Sequence, residues 1–345
     1  MKAIIDRPAS TVAEGIEQLH VILQTPPTTP QLEPNQVLLT MHATCINYPD
    51  LLMLADGYQH KATFPFTPGL EYAGKITAIG EKVSNFKIGD RVMGNGNGLS
   101  SHITVNSNAI TTIPNNLSYI QAASFWVGFT TAYHCLIERG NLQKGEWLLV
   151  NGGTGGMGMA AILLAKQIGA HVICTGGTDE KLNQVSSFAK VPRSQCINYR
   201  TNEKYAKLVK ACTPNGRGVD VVFDPVGGEA GMEALRSTSW GARILIVGFT
   251  SGIRQEIAAN YVLIKGLTIM GCRAGEYIRR TPNGMEKVGI PRKQMLMKMA
   301  AKGLVPCVSG EYPFTTVGVR NCFRDIFERR IVGRACVVVP DDSKL

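Results

Sequence analysis

Residues 148–158, which read LLVNGGTGGMG, constrain the fold more than any other part of the sequence. Gly153, Gly155 and Gly158 satisfy the pattern G-x-G-x-x-G directly after an apolar run and at the start of a helical one. Glycines there allow a tight turn and a close approach of the backbone to a pyrophosphate, whose charge is received by the N–H groups and dipole of the following helix. The stretch therefore predicts a dinucleotide-binding βαβ unit.

Apolar runs alternate with helical stretches in the middle of the chain. The candidate buried strands read EWLLVNG, AHVICTGG, VDVVFDPVGG and ARILIVGF, and helical segments such as MGMAAILLAKQIG lie between them. This alternation predicts an α/β fold with a doubly wound parallel sheet and helices on both faces.

The two ends of the chain have a different texture. About the first 120 residues read as short strands separated by Gly, Pro and Asn, and the chain ends in a strand–turn–helix–strand segment that closes on RACVVVP. That segment is too short to form a domain, so we expect it to return to the N-terminal β domain. The predicted divisions are 1–122 and 285–345 for the β domain and 123–284 for the inserted α/β domain.

Composition excludes several classes of protein. With 44% hydrophobic and 18% charged residues, the 345-residue chain can bury two cores, and no uninterrupted apolar run reaches about 18 residues, so we expect a soluble protein. The net charge of +10 is scattered, which argues against nucleic-acid binding as the main role. The nine cysteines form no C-x-x-C pair, which favours free thiols in a reducing compartment.

The end of the second predicted strand indicates which dinucleotide is bound. NAD sites usually place an acidic residue there to bind the ribose hydroxyls, whereas this chain has Thr175, Gly176 and Gly177. Small residues leave room for a 2′-phosphate, which Lys181 would neutralise, so the sequence favours NADP(H). The alternative is that Asp179 and its neighbour Glu180 supply the acid slightly late, although both are typical of the first turn of a helix.

Several motifs in the same order and spacing give the chain a family resemblance over almost its whole length. They read INYPDLLMLADGYQ, FPFTPGLEYAGKITAIG, FKIGDRV, AASFWVGFTTAYHCL, GEWLLVNGGTGGMG, CINY, GVDVVFDPVGG and ILIVGF. The chain resembles a zinc-free medium-chain dehydrogenase/reductase of the quinone oxidoreductase (zeta-crystallin-like) family. The resemblance implies a GroES-like β domain built from both chain ends, an inserted Rossmann domain, and a cofactor cleft at their junction.

The resemblance also bears on the metal. Zinc alcohol dehydrogenases of this superfamily hold the catalytic zinc with Cys, His and Cys. The resemblance implies that the corresponding positions of this chain are Asn47, Leu70 and Val127. Leucine and valine cannot ligate Zn²⁺, which takes N, S or O donors. We therefore expect no metal site.

The resemblance assigns roles to individual residues of both domains. Asn47 and Tyr58 are expected to be catalytic, with the Tyr58 phenol donating to a developing enolate oxygen. The alternative is that Tyr58 is a lid or packing residue and water supplies the proton; relatives often have a residue between the preceding glycine and this tyrosine, whereas Gly57 directly precedes Tyr58. The expected cofactor contacts are Thr130, Gly153, Gly156, Met157, Gly177, Thr178, Lys181, Tyr199, Val226 and Phe249. For Tyr199 the alternative is a buried aromatic residue that follows a strand.

These residues favour an NADPH-dependent reductase that transfers hydride without metal to quinones or activated alkenes. A second hypothesis is a peroxisomal enone or 2-enoyl-thioester reductase. A third, from a different class, is an NADPH-binding structural or RNA-associated protein with little turnover. Relatives commonly dimerise through Rossmann sheet edges, so a homodimer is expected, with LTIMGCRAG as the edge strand.

The last three residues, Ser343, Lys344 and Leu345, form the tripeptide that the peroxisomal import receptor reads. Such an address works only in an organism that has the receptor. The sequence therefore predicts the peroxisomal matrix where that receptor exists, and the cytoplasm otherwise.

Overall fold

The structure is a computed structural model that describes residues 1–23, 32–59 and 61–340. The chain divides into two compact units. The first, here called the β unit, combines Met1–Trp126 with Val308–Leu345, and the second, the α/β unit, is Val127–Cys307. The predicted Ser343-Lys344-Leu345 signal lies outside the described residues.

Most of the described strands belong to two sheets. In chain order they are β1 (Lys2–Ile4), β2 (His20–Ile22), β3 (Gln36–Cys45), β4 (Glu71–Ile79), β5 (Arg91–Asn95), β6 (His102–Asn106), β7 (Ile110–Thr112), β8 (Trp147–Val150), β9 (His171–Gly176), β10 (Cys196–Asn198), β11 (Val219–Asp224), β12 (Thr238–Ile246), β13 (Thr268–Gly271), β14 (Val308–Pro313) and β15 (Arg334–Val338).

Helices accompany both sheets. The α-helices are α1 (Val12–Gln18), α2 (Tyr48–Leu54), α3 (Tyr119–Ala123), α4 (Trp126–Tyr133), α5 (Gly156–Ile168), α6 (Asp179–Ala189), α7 (Ala206–Ala211), α8 (Gly228–Arg236), α9 (Ala259–Lys265), α10 (Ala274–Arg280), α11 (Ile290–Ala301) and α12 (Thr316–Phe327). Wider π-helical turns follow α4 at His134–Arg139 and precede α11 at Met285–Gly289.

The β unit joins the two ends of the chain in one sheet. Its strands lie in the order β14-β15-β3-β4-β5-β7, and β6 also pairs with β3. The C-terminal strand β15 runs antiparallel to β3, with Cys336 opposite Cys45. This pairing confirms that the C-terminal segment completes the N-terminal domain.

The α/β unit contains a six-stranded parallel sheet in the order β10-β9-β8-β11-β12-β13. All four residues of β8 are buried, as expected for a strand covered by helices on both faces. The strand order changes direction between β8 and β11, and ligands of open α/β sheets bind beside the carboxyl ends of strands at such a point. The sheet confirms the predicted doubly wound fold, and β13 is an edge strand as expected.

The boundaries between the units differ from the predicted ones. The chain returns to the β unit at Val308 rather than at residue 285, and it first leaves that unit after Trp126 rather than after residue 122. Arg292 of α11 is 2% exposed, and its guanidinium donates to both carboxylate oxygens of Glu138 at 2.8 and 2.6 Å. This buried ion pair ties α11 to the α/β unit, and a hydrophobic pattern cannot reveal it.

The sequence also predicts free thiols and the absence of a membrane-spanning helix. All nine cysteines lie among the described residues, and all are free thiols. None of the helices in the described ranges is both long and apolar enough to cross a bilayer.

Candidate functional site

The glycine loop, residues 151–155, connects β8 to α5, and backbone conformation or close packing requires glycine at several positions in the loop and the first turn of α5. Gly152 adopts a φ of +63°, which side chains other than glycine rarely tolerate. A methyl group on Gly158 would overlap the carbonyl oxygen of Gly152, and one on Gly153 would lie 2.7 Å from Cβ of Cys174. The loop therefore packs tightly against both the helix and the neighbouring strand.

The N-terminus of α5 offers unused donors. Its N-cap residue is Gly155, which has no side chain that could accept a hydrogen bond from the first N–H groups of the helix. The first backbone N–H groups of a helix have no partner within the helix, and the helix dipole favours an anion there. Gly156 and Met157, both expected to contact the pyrophosphate, are the first two residues of α5, so the observed geometry suits an anion.

A buried polar network below the glycine loop was not anticipated from the sequence. The Asn151 amide donates to Asp224 at 3.2 Å, and the Tyr205 hydroxyl donates to Asn151 Oδ1 at 2.9 Å. Asp224 also accepts from the backbone N–H groups of Val226 and Gly227. Burial raises the pKa of Asp224, although these donors oppose the shift. The network fixes the carboxyl ends of β8 and β11 beside each other.

At the end of β9 the expected 2′-phosphate residues lie together. A methyl group on Gly177 would lie 3.0 Å from the Tyr199 hydroxyl and 3.4 Å from Nε of Arg200. The Tyr199 N–H donates to the Gly176 carbonyl at 3.1 Å, which fixes this residue beside β9. Tyr199 is half-buried and Arg200 is exposed. Arg200 was not assigned from the sequence, although the motif INYR contains it.

The two acidic residues considered for the ribose begin α6. The carboxylate of Asp179 pairs with the Arg193 guanidinium and accepts from the Asn198 amide. Thr178 caps the helix, and its hydroxyl accepts from the Lys181 N–H at 3.4 Å. The Asp179 carboxylate is thus already engaged within its own unit, and Lys181 lies in the first turn, half-buried.

Two of the remaining α/β-unit predictions, Val226 and Phe249, lie near the same edge of the sheet. Val226 approaches Gly152, where a methyl group would lie 3.1 Å from the valine side chain. The exposed Phe249 ring lies over Gly227. Thr130 lies in α4, and its buried hydroxyl has no hydrogen-bond partner among the described residues. An orphaned buried hydroxyl suits a residue that contacts a ligand.

In the β unit, Asn47 belongs to a buried charged cluster. The Asn47 amide nitrogen donates to Glu71 at 3.0 Å, and Glu71 also pairs with the Arg334 guanidinium. Asn47 is 2%, Glu71 1% and Arg334 7% exposed. Asn47 Oδ1 is buried and accepts no hydrogen bond within the described part of the chain. Asn47 is therefore held in one orientation with a single unused acceptor.

Asp50 orders the backbone next to this cluster. Its carboxylate accepts from the N–H groups of Asn47 at 2.8 Å, Gly69 at 2.8 Å and Leu70 at 3.1 Å. Burial raises the pKa of Asp50 to about 7 because it outweighs these three donors. The arrangement fixes the start of α2 against the segment that precedes β4.

Tyr58 lies in the loop that follows α2 and is half-buried. Its predecessor Gly57 donates its N–H to the Leu52 carbonyl at 2.8 Å, so the loop folds back onto the helix. The proton-donor role and the packing role of Tyr58 therefore both stay predictions.

The donors in this region do not fit a zinc ion. Leu70 has no donor atom, and the Asn47 amide nitrogen is directed at Glu71, which the Arg334 guanidinium already neutralises. A fixed buried cation beside the carboxylate would oppose a second one. Across residues 1–23, 32–59 and 61–340, no three or more His, Cys, Asp or Glu side chains cluster in a way that suits a metal.

Comparison with known proteins agrees with both units. Residues 33–166 match the family described as alcohol dehydrogenase GroES-like domain, and residues 156–288 match the family described as zinc-binding dehydrogenase. The second description mentions zinc, which the donors described above do not suit.

Named relatives and solved structures narrow the family. The chain is 30% identical over 313 residues to the quinone oxidoreductase-like protein 2 homolog of Nematostella vectensis, which covers 90% of this chain and 83% of that protein. It is 36% identical over 252 residues to quinone oxidoreductase-like protein 2 of Bos taurus, covering 71% and 70%.

A probable oxidoreductase from Mycobacterium abscessus superimposes with a TM-score of 0.81 at 30% identity over 98% of each chain. The Escherichia coli quinone oxidoreductase complexed with NADPH shares the fold, with a TM-score of 0.79 at 24% identity over 98% of this chain and 99% of that one. The chain therefore belongs to the zinc-free medium-chain dehydrogenase/reductases of the quinone oxidoreductase family, and it is an oxidoreductase.

Proposed function

We propose that this protein is an NADPH-dependent reductase that transfers hydride, without a metal, to quinones or activated alkenes. The observation that carries the proposal is the end of β9, where Gly177 lies beside the Tyr199 hydroxyl and the Arg200 guanidinium. A cationic planar donor next to a residue with no side chain suits a phosphate, whereas a ribose hydroxyl usually meets a carboxylate. The nearest carboxylate in sequence, Asp179, is engaged by Arg193.

The names of related proteins support the same proposal. Relatives are described as a quinone oxidoreductase or as quinone oxidoreductase-like proteins, and solved structures of this fold include NADPH complexes and an enoyl reductase. These descriptions apply to those proteins. For this chain they favour a nicotinamide cofactor and an acceptor with a conjugated carbonyl group.

The residues of the α/β unit fit the cofactor. The N–H groups of Gly156 and Met157 would receive the pyrophosphate, and Tyr199, Arg200 and Lys181 would surround the 2′-phosphate. When bound, NADPH supplies the hydride. Arg200 provides a fixed positive charge, and the Gly177 backbone leaves space for the phosphate oxygens.

In the β unit, Asn47 and Tyr58 would act on the substrate. Conjugation spreads the charge that arrives with the hydride, so the acceptor needs only hydrogen bonds and no Lewis acid. Because Glu71 holds the Asn47 amide nitrogen, the orphaned Oδ1 would accept a hydrogen bond from a hydroxyl of the reduced product, such as a hydroquinone. The Tyr58 hydroxyl would donate to the developing enolate oxygen.

The test is oxidation of NADPH and NADH by the purified protein, with 1,4-benzoquinone and trans-2-hexenal as parallel acceptors. Arg200→Glu and Lys181→Glu should each raise the KM for NADPH by about ten-fold or more and leave that for NADH nearly unchanged, since only NADPH carries the extra phosphate. The control is Lys207→Glu, which reverses an exposed charge on α7. Binding of NADPH without its oxidation by either acceptor would contradict the proposal and favour the non-catalytic hypothesis.

The preferred acceptor would separate two candidate enzymes. A preference for trans-2-hexenal over the quinone would favour an enone or 2-enoyl-thioester reductase, the alternative suggested by the terminal Ser343-Lys344-Leu345. We propose that these residues direct the protein to peroxisomes in a host that has the import receptor, and that the protein is otherwise cytoplasmic. Imaging of a protein with a fluorescent domain at its N-terminus, with and without residues 343–345, tests this location.

We also propose that two copies associate through the edge strand β13. Next to this edge, Trp240 is 81%, Leu263 83% and Ile264 72% exposed, and the Trp240 ring lies against Gly266 just before the strand. Pairing of two such edges would cover these side chains and satisfy the edge hydrogen bonds. Light scattering should show a dimer that Trp240→Asp converts to a monomer; a monomeric wild type would refute the association.

A further inference from the structure

Two cysteine side chains lie between a surface pocket of the α/β unit and the glycine loop. The pocket has a volume of about 510 Å³, and its lining includes Cys196, Cys212 and Arg193. Cys196 is only 3% exposed, so the pocket is the route by which a small molecule would reach its sulfur. Cys174 lies behind Cys196, on the next strand.

Cys174 and Cys196 are placed for a disulfide. They are directly paired in the register of the parallel strands β9 and β10, and their sulfur atoms lie 3.6 Å apart. Neighbouring strands are about 4.8 Å apart, which is within the range of Cα separations that a disulfide spans. A bond between the sulfur atoms therefore requires side-chain rotation and a small adjustment of the strands.

The surroundings distinguish the two thiols. The Cys174 S–H donates to the Cys196 sulfur, which lowers the pKa of Cys196 in spite of its burial, and the nearby Arg193 guanidinium acts in the same direction. The same hydrogen bond, together with burial, holds the pKa of Cys174 well above its usual range. Cys196 is thus the nucleophile that faces the pocket, and Cys174 is the resolving thiol behind it.

Cys174 also supports the glycine loop. A methyl group on Gly153 would lie 2.7 Å from Cβ of Cys174 and 3.3 Å from its sulfur, so this side chain packs directly against the loop. The Gly153 N–H donates to the carbonyl of Thr175, the residue after Cys174, at 2.8 Å. Movement of the Cys174 sulfur toward β10 would withdraw a packing partner from the loop.

We propose that Cys174 and Cys196 form a redox modification site, in which a small organic disulfide enters the pocket and converts the two thiols to a disulfide that loosens the glycine loop. The effect on NADPH affinity rests on the proposed function. The disulfide itself does not.

The exchange is balanced without another reactant. The Cys196 thiolate attacks one sulfur of the small disulfide RSSR, and one RS⁻ leaves and takes up the Cys196 proton. Cys174 then attacks the Cys196 sulfur of the mixed disulfide, and the second RS⁻ leaves with the Cys174 proton. Two protein thiols are oxidised, and RSSR is reduced to two RSH.

Two other thiol pairs provide internal controls. Cys135 and Cys272 are hydrogen-bonded, as are Cys45 and Cys336, and all four residues are buried. None of these four residues lines the pocket. We therefore expect both pairs to oxidise more slowly than Cys174 and Cys196.

The test treats the folded protein with bis(2-hydroxyethyl) disulfide, blocks the remaining thiols and digests with trypsin. The expected product links residues 167–181, which contain Cys174, to residues 194–200, which contain Cys196. Cys196→Ser should abolish this product, whereas Cys212→Ser should retain it. A link from Cys196 to residues 211–217, which contain Cys212, or no link at all, would overturn the proposal.

Hydrogen exchange and NADPH affinity are two separate measurements of the effect of the disulfide on the glycine loop. Hydrogen exchange of residues 151–158 should accelerate in the oxidised protein, and the Kd for NADPH should rise by about five-fold or more and recover with dithiothreitol. Neither should change in treated Cys196→Ser. A disulfide that leaves exchange in the loop unchanged would refute the coupling. Failure of the untreated protein to bind NADPH would refute the proposed function, and the mass and exchange measurements would still decide the thiol site.

Discussion

The glycine loop and the Asn47 cluster hold polar groups in opposite ways. The loop presents backbone N–H groups, and glycine is required at Gly152 by its positive φ and at Gly153 by its contact with Cys174. The Asn47 cluster presents a side chain that is oriented by Glu71 and Arg334, two residues separated by more than 260 positions in sequence. Local backbone geometry builds the first site, and long-range pairing of buried charges builds the second.

The largest effect is expected when the buried ion pair of the β unit is broken. Arg334→Met should lower the free energy of unfolding by about 3–5 kcal/mol, because it leaves Glu71 buried without its cation. The matched control is Arg330→Met, which removes an exposed pair with Asp325 and should cost about 1 kcal/mol or less. Urea unfolding of both variants measures the difference; equal losses would show that the buried pair does not organise this site.

The second prediction concerns pH. Because the pKa of Asp50 is about 7 in the folded protein and near 3.8 in the unfolded chain, the folded state binds the proton more tightly. The contribution of Asp50 is therefore greatest at low pH and is lost as pH rises through 7. It should reduce the free energy of unfolding by about 2–3 kcal/mol between pH 5 and 8.

Asp50→Asn should remove this part of the pH dependence, measured by urea unfolding at several pH values. The variant keeps an oxygen for Gly69 and Leu70, so it can still fold around the same backbone. An unchanged pH profile would show that the three N–H donors keep Asp50 ionised.

At the glycine loop and the first turn of α5, the matched pair is Gly158→Ala and Gly155→Ala. The first should cost about 1–3 kcal/mol of stability because its methyl group overlaps the Gly152 carbonyl. Gly155 has a φ of −85° and no atom closer than 3.6 Å to an added methyl carbon, so its change should stay within about 0.5 kcal/mol. Thermal or urea unfolding distinguishes them. Equal costs would contradict the packing described for the loop.

The smallest effect is expected at Tyr58, which belongs to neither buried arrangement. Tyr58→Phe should lower kcat for trans-2-hexenal by about ten-fold, equivalent to about 1.4 kcal/mol, and leave the Kd for NADPH unchanged. Steady-state kinetics and fluorescence titration measure the two quantities. An unchanged kcat would favour water as the proton source and a packing role for the ring.

Much of the site followed from the sequence because its signals are local. The apolar run before Gly153 and the helix after it predicted the loop, and the small residues that end at Gly177 predicted room for a phosphate beside β9. Tyr199 was expected there only from the family resemblance. Arg200 was overlooked because an exposed arginine after a strand has no distinguishing pattern. Only its approach to Gly177 indicates a role.

The sequence by itself determined the parallel α/β sheet, the loop and the return of the C-terminal segment, because hydrophobic periodicity and glycine spacing act between near neighbours. The tertiary structure alone decided that Arg334 neutralises Glu71, that Arg292 keeps α11 in the α/β unit, and that Cys174 faces Cys196. Each of these contacts joins residues that are distant in the chain or on separate strands. Pairing of charges and thiols depends on which side chains folding brings within a few ångströms, and no local pattern encodes that distance.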